Sequence, residues 1–235
     1  MSMPVLGKSD YCVLNVVALK KMTSTADLAV ATGLEAGQVE SRISVLSGLG
    51  LVAEVGGFAM PADEAEAALA ASAAEHYAQL RADPEIIALA DLFDDINGKL
   101  LAAMSAWQQI DIGGQKVAND HTDASYDDRI ITRIERLVQR LQPLLDALTR
   151  YDERFAGYQR RFDAALAGLD EGRHDLVSSP TLDSVHTIWF EFHEDLLRTL
   201  GRARKELWTA TPSLLPRPTP ATWTCSAARA PAWPG

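Results

Sequence analysis

Residues 9–60 constrain the fold most, because three short helical patterns follow one another there and a glycine turn comes next. Apolar residues recur at helical spacing in SDYCVLNVVALKKM, for which Ser9 is a plausible N-cap. Thr23–Thr25 offer a cap for the second helix, ADLAVAT, and Gly33 suits its left-handed end. EAGQVESRISVLSGLG supplies a third helix, and Gly56-Gly57 separates two β-prone runs, LVAEV and FAM. The sequence therefore predicts three helices followed by a small β-hairpin.

This order resembles the winged helix-turn-helix domain of bacterial transcriptional regulators. The likeness covers residues 9–60 and rests on STADLAVATGLEAGQVESRISVLSGLGLV, in which an alanine-containing helix meets a Thr-Gly-Leu turn. The matching pattern continues with a buried Val39, with the buried aliphatic residues Ile43 and Leu46, and with a closing Leu-Gly-Leu-Val. The resemblance implies a winged helix in residues 1–61. A three-helix bundle of similar spacing is the alternative, and the hairpin disfavours it.

The resemblance also implies that the third helix reads double-stranded DNA in the major groove. Gln38 can read adenine there, and Arg42 can read guanine or hold a phosphate. The residues expected to contact DNA are Gln38, Ser41, Arg42, Ser44, Lys20 and Lys21.

Charge argues for weak DNA binding. The 235 residues carry a formal net charge of −10, and the predicted hairpin, VAEVGGFAM, contains no basic residue. Neutralisation of phosphates supplies nearly all of the non-specific affinity for DNA. A module whose cations are Lys8, Lys20, Lys21 and Arg42 is therefore expected to bind DNA weakly unless it reads sequence as a dimer.

The rest of the chain predicts a mainly α protein, with an antiparallel helical bundle over residues 62–205 and no convincing strand. The cleanest amphipathic helix is SYDDRIITRIERLVQRLQPLLDALTRY, which Pro143 is expected to kink or restart. Asn97-Gly98 is expected to interrupt the preceding helical stripe, and DIGGQKVANDHTDAS is predicted to be a loop. Residues 206–235 form a Pro/Trp-rich tail, predicted to be disordered or aberrant and excluded from functional reasoning together with Cys225.

The segment DSVHTIWFEFHEDLL, residues 183–197, carries the densest chemistry. At 100° per residue, His186 and His193 fall in the apolar sector beside Trp189. The carboxylates of Asp183, Glu191, Glu194 and Asp195 fall outside that sector, and most of them are expected to face water. The two histidines either line a small-ligand pocket or lie in the core. Their separation of two helical turns, about 10.5 Å, is long for one metal ion.

The segment NDHTD, residues 119–123, is the second candidate site. Its composition fits either a cation-binding loop or a helix cap supplied by Thr122, Asp123 or Ser125, and capping is favoured. His121 would gain a functional role if it joined the histidines of residues 183–197. Trp107, at the end of a helix, either edges a pocket or packs in the core. The expected ligand-binding residues are His186, Trp189, His193, His121 and Trp107, with no metal and no cofactor.

These patterns favour a cytoplasmic, DNA-binding transcriptional regulator that forms a homodimer and senses a small-molecule effector through its helical part. No phosphate loop or nucleophile motif supports an enzyme, and no stretch approaches the roughly 18 apolar residues of a membrane span. Two cysteines are too few for a disulfide framework, which suggests a reducing compartment. An adaptor or regulatory subunit that uses the winged helix for protein contacts is the alternative. A metal-dependent helical enzyme using His121, His186 and His193 ranks last.

Overall fold

A computed structural model describes residues 5–203 of the chain. The predicted tail, residues 206–235, lies outside the described residues, as does Cys225. The N-terminal part contains three helices and three short strands in the order α1 (Lys8–Lys20), β1 (Thr23–Ser24), α2 (Thr25–Thr32), α3 (Ala36–Gly48), β2 (Val52–Val55) and β3 (Phe58–Pro61).

Local turn chemistry explains the bounds of α2. The Ser24 side chain accepts a hydrogen bond from the backbone N–H of Asp27 at 3.1 Å, and Gly33 ends the helix with a φ of 72°. The N-terminus of α1 differs from the prediction, because Gly7 is its N-cap and Ser9 lies inside the first turn. The chain is fixed just before this point, where the backbone N–H of Leu6 donates to the Ser72 hydroxyl at 3.0 Å.

The three strands form one antiparallel sheet in the order β1-β3-β2. Val55 pairs with Phe58 across a turn in which Gly56 and Gly57 have φ values of 59° and 84°. Glycine adopts this left-handed conformation without a steric cost, which is why the two-residue turn forms here. Val52 and Ala59 are buried, so one face of the sheet packs on the helices and the other faces solvent.

The remainder of the described chain is mainly helical. Its elements are α4 (Ala65–His76), α5 (Ala78–Ala82), α6 (Pro84–Gln108), β4 (Gln109–Ile112), β5 (Gln115–Ala118), α7 (Ala124–Thr149), α8 (Ala156–Asp170) and α9 (Val185–Leu200). Short 3₁₀ turns at Glu153–Phe155 and His174–Leu176 precede α8 and α9, respectively.

Helices α6 and α7 pack side by side in opposite directions. Tyr126, at the start of α7, donates to the carbonyl of Ala106 near the end of α6, whereas Arg150, just after α7, pairs with Glu85 at the start of α6. Helix α7 also packs on α8, and α8 packs on α9. The four helices therefore form the body of a bundle.

Helix α6 runs through Asn97-Gly98, which were expected to interrupt it, and α7 continues past Pro143 without restarting. Asn97 is buried within α6 and accepts a hydrogen bond from Trp189 Nε1 at 2.9 Å, so its polar side chain is satisfied by α9. Pro143 lies inside α7, between Leu141 and Leu144, which are both buried. We attribute the continuity of α7 to this buried stripe, which outweighs the backbone hydrogen bond that proline removes.

The expectation of no strand after residue 62 is wrong. Strands β4 and β5 form an antiparallel hairpin in which Ile112 pairs with Gln115. The turn residues Gly113 and Gly114 have φ values of 63° and 86°, as a two-residue hairpin turn requires.

One core joins the N-terminal elements to the bundle, since α1 packs against α2 and α3 on one side and against α4 and α9 on another. The domain boundary at residue 61 stays a prediction. Within residues 5–203, no helix combines the length and the apolar character needed to cross a bilayer.

Candidate functional site

Helix α3 exposes the face that sequence analysis assigned to DNA. Val39, Ile43 and Leu46 are buried, whereas Gln38, Ser41 and Ser44 are exposed, as the helical period requires. The side chain of Gln38 also takes part in a capping box, since its Oε1 accepts the backbone N–H of Glu35 at 3.1 Å.

Three predicted DNA-contacting cations have carboxylate partners within the chain. Arg42 Nη1 lies 3.4 Å from Asp10 Oδ1, and its side chain is 41% exposed. Lys21, 70% exposed, lies 3.7 Å from Glu66. Lys20 turns towards the bundle, where its Nζ lies 2.9 Å from Oε1 of the buried Glu191. Exposed pairs are weak, so phosphates can recruit Arg42 and Lys21, but Lys20 is held inside.

The solvent-facing side of the N-terminal sheet is apolar. Cross-strand register places Ala53, Val55, Phe58 and Met60 on one side, which we call the outer sheet face. Val55, Phe58 and Met60 are 60%, 41% and 37% exposed, respectively. The face therefore offers a surface without charge where a DNA-binding hairpin would carry cations.

Trp189 and His193 both pack against the ring of Phe93 in the core of the bundle. Trp189 is buried and stacks on Phe93 with ring centroids 5.4 Å apart, and His193 meets the same ring edge-on at 5.3 Å. His186 is half-buried at the start of α9, and burial lowers the pKa of its imidazole.

His121 and Trp107 form a separate cluster. Their ring centroids are 4.4 Å apart, and Trp107 lies ten residues beyond Asn97 on α6, a rise of about 15 Å along the helix. Since Trp189 binds Asn97, the structure does not bring Trp189 and Trp107 into one pocket. Among residues 5–203, no group of three or more His, Cys, Asp or Glu side chains is arranged to hold a metal ion.

The His121 cluster is tightly hydrogen-bonded. His121 adopts a φ of 56°, and its Nδ1 lies 2.9 Å from Oδ2 of the buried Asp127. The Asn119 amide donates to the Trp107 carbonyl at 3.0 Å and to Asp127 Oδ1 at 2.9 Å. Asp123 accepts the backbone N–H of Tyr126, so the predicted cap of α7 is confirmed. The cluster orients one imidazole and anchors the β4–β5 hairpin to the bundle.

The burial of two carboxylates on α9 is the feature that the sequence predicted least well. Glu191 and Asp195 were expected to face water, yet they are 5% and 0% exposed. Arg161 binds Oε2 of Glu191 at 2.7 Å and Asp183 at 2.8 Å, while Lys20 contacts the other oxygen of Glu191. Charges from α1 and α8 thus compensate a carboxylate that burial alone would strongly disfavour.

Arg154 is the centre of the second half of this network. It donates to Oδ2 of Asp195, to the Thr199 hydroxyl at 2.8 Å and to the Tyr77 hydroxyl at 3.2 Å. Tyr158 donates to the same Asp195 oxygen at 3.0 Å. Burial alone would lower the pKa of Arg154, but the carboxylate of Asp195 raises it well above its ordinary value.

A sequence signal for this network exists in the spacing of its charges. Glu191 and Asp195 are four residues apart and so lie on one face of α9, whereas Arg161 lies on α8 and Arg154 in the 3₁₀ turn before it. Two carboxylates on one helix face and two arginines in the segment before that helix together indicate charges that face one another.

The fold and these clusters define a mainly helical protein with a small antiparallel sheet near its N-terminus. Comparisons with models of protein families, with curated proteins and with solved structures find no match for the chain.

Proposed function

We propose that the protein is a cytoplasmic DNA-binding transcriptional regulator, with a winged helix in residues 1–61 and a helical part that dimerises and responds to a small molecule. The observation that carries this proposal is the uncovered face of α3. Gln38 and Arg42 lie one helical turn apart there, and exposed serines at positions 41 and 44 leave room for close approach to a groove.

The order of elements supports the same proposal. A strand between α1 and α2 pairs with the hairpin that follows α3, which ties the three helices and the hairpin into one unit. Gly33 then turns the chain between α2 and α3, the pair that a helix-turn-helix requires.

The charge pattern sets the expected strength of DNA binding. With Lys20 held by Glu191, the cations that remain for phosphates on this module are Lys8, Lys21 and Arg42. Three phosphate contacts give a slope of log K against log salt of about −3 per module. We therefore expect non-specific binding that is measurable at low salt and lost near physiological salt.

Fluorescence anisotropy with a labelled mixed-sequence duplex tests the proposal. The full chain should bind at low salt, and Arg42→Ala should weaken binding by about threefold to tenfold and reduce the salt slope by about one. Lys99→Ala is the matched control, because Lys99 is an exposed cation of α6, remote in sequence and paired with Asp95. The absence of binding at low salt would contradict the proposal.

The outer sheet face favours a second candidate, in which the N-terminal module docks on protein instead of DNA. The occupant that fits best is a second copy of this chain, since two copies of this face would bring apolar side chains together with no like-charged side chains in contact. Sedimentation velocity should then show a dimer that Phe58→Ser converts to monomer. Val117→Ser, an exposed residue of β5, is the control, and a wild-type monomer at all concentrations would reject this candidate.

A further inference from the structure

A cleft lies between α2 and the beginning of α9. Its volume is about 510 Å³, and its lining includes Lys20 of α1 and Glu191 of α9, which contact each other. Small-molecule sites in proteins usually enclose roughly 300–1,000 Å³. The cleft is therefore large enough for a small organic ligand, and it does not include the histidines expected to bind one.

Apolar side chains line both walls of the cleft and are solvent-exposed. Met22 and Val30 contribute from the N-terminal part with 57% and 81% exposure, and Leu182 and Phe190 contribute from the α9 side with 42% and 48%. Single exposed apolar residues are ordinary on a surface, but four around one cleft, interspersed with polar and charged residues, give it a mixed lining that suits an amphipathic ligand.

The charges of the cleft do not cancel. Lys20 lies 2.9 Å from Glu191 and 3.9 Å from Asp183, and Arg161 lies 2.7 Å and 2.8 Å from the same two carboxylates. The two cations therefore balance these two negative charges. Asp27 also lines the cleft, and within residues 5–203 its side chain accepts a hydrogen bond from the Ser24 hydroxyl at 2.7 Å without forming an ion pair. One negative charge therefore remains at the opening.

We propose that this cleft binds an amphipathic organic cation, with its apolar body between Val30 and Phe190 and its charge beside Asp27. An anion would face Asp27 and would meet two cations that are already engaged by carboxylates. A neutral apolar ligand would gain nothing from the Asp27 charge. This inference does not depend on DNA binding, because none of the exposed residues of α3 lines the cleft.

Two probes of nearly the same shape and opposite charge test the proposal. Isothermal titration calorimetry on the full chain should show saturable one-to-one binding of tetraphenylphosphonium. Tetraphenylborate, the matched anion, should bind at least about tenfold more weakly because it meets Asp27 instead of pairing with it. Equal affinity for the two ions would overturn the assignment of charge, and no binding of the cation would overturn the site.

Substitutions on each side of the cleft locate the binding. Asp27→Asn keeps the hydrogen bond to Ser24 and should weaken tetraphenylphosphonium by at least about fivefold, as expected for the loss of one nearby charge. Val30→Ser should weaken both probes by removing apolar contact. Asp146→Asn and Val45→Ser are the controls, since both residues are exposed on α7 and α3 away from the cleft. Equal effects of the cleft variants and the controls would overturn the proposal.

Discussion

Replacing Asp195 with alanine tests the energetic role of the buried charge network. The Asp195 side chain is 1% exposed and that of Arg154 is 10% exposed, so water does little to screen their interaction. Removing the carboxylate leaves the Arg154 guanidinium in the interior, where Asp152, at 3.4 Å from its Nε, becomes the one carboxylate paired with it among the described residues. Tyr158 also loses the oxygen to which it donates.

The expected cost follows from these contacts. Breaking a buried pair by removing one partner costs about 3–5 kcal/mol, because the remaining charge stays desolvated. Since Asp152 still pairs with Arg154, we expect the lower end, about 3 kcal/mol. In a protein of this size, that loss lowers the melting temperature by roughly 6–12 °C.

Urea unfolding followed by far-ultraviolet circular dichroism measures the loss directly. Glu85→Ala is the matched control, because Glu85 pairs with Arg150 at 2.6 Å while both side chains are 56% exposed, and its loss should cost less than about 1 kcal/mol. Asp195→Asn, which keeps a hydrogen-bond acceptor, should fall between the two. Similar losses for Asp195→Ala and Glu85→Ala would refute the reasoning that burial gives this pair its weight.

Three further predictions concern single side chains. Burial raises the pKa of Cys12 to about 11 from an ordinary 9.0. In a Cys225→Ser background, iodoacetamide should therefore alkylate Cys12 about a hundredfold more slowly in native buffer than in urea. Equal rates of alkylation would contradict the burial of Cys12. Burial lowers the pKa of His186 from 6.5, so the folded state favours the neutral ring and loses stability as pH falls below 6.5. The urea midpoint should therefore decrease with falling pH, and His186→Gln should make this decrease smaller. The same decrease in the variant and in the wild type would argue against this role of His186. Asp127→Ala should lower the free energy of unfolding in urea by about 2–3 kcal/mol. His121→Gly should lower it by less than about 1 kcal/mol, because glycine adopts the φ of 56° without strain. A larger loss for His121→Gly than for Asp127→Ala would show that His121, and not Asp127, is the more important residue for stability.

Elements that depend on local chemistry could be predicted from the sequence. Ser24 and Gly33 mark the two ends of α2, and Gly56-Gly57 marks the first hairpin, because caps and two-residue turns involve only neighbouring residues. Gly113-Gly114 carries the same turn signal for β4–β5. It was missed because each strand is only four residues long and contains no fully buried residue, although Ile110 and Ile112 alternate with polar residues in β4.

The environment of the α9 carboxylates could not be predicted in the same way. A helical wheel sorts residues by polarity, and it correctly assigned Trp189 and Phe192 to the core. It also assigned Glu191 and Asp195 to water, because it contains no information about cations on other helices. Arg154 and Arg161 are about 30–40 residues away in sequence, so only tertiary packing brings them to these carboxylates.

Lys20 connects the proposed DNA-binding module to the proposed ligand site. Its bond to Glu191 withdraws a cation from the expected DNA face, and both residues line the cleft, so both properties depend on how α1 lies against α9. A ligand in the cleft changes DNA affinity only if it binds two arrangements of these helices with different affinity. Coupling is reciprocal, so the factor by which tetraphenylphosphonium changes affinity for a duplex must equal the factor by which the duplex changes affinity for tetraphenylphosphonium. If both ligands bind and neither factor differs from one, the cleft is a binding site without a regulatory role.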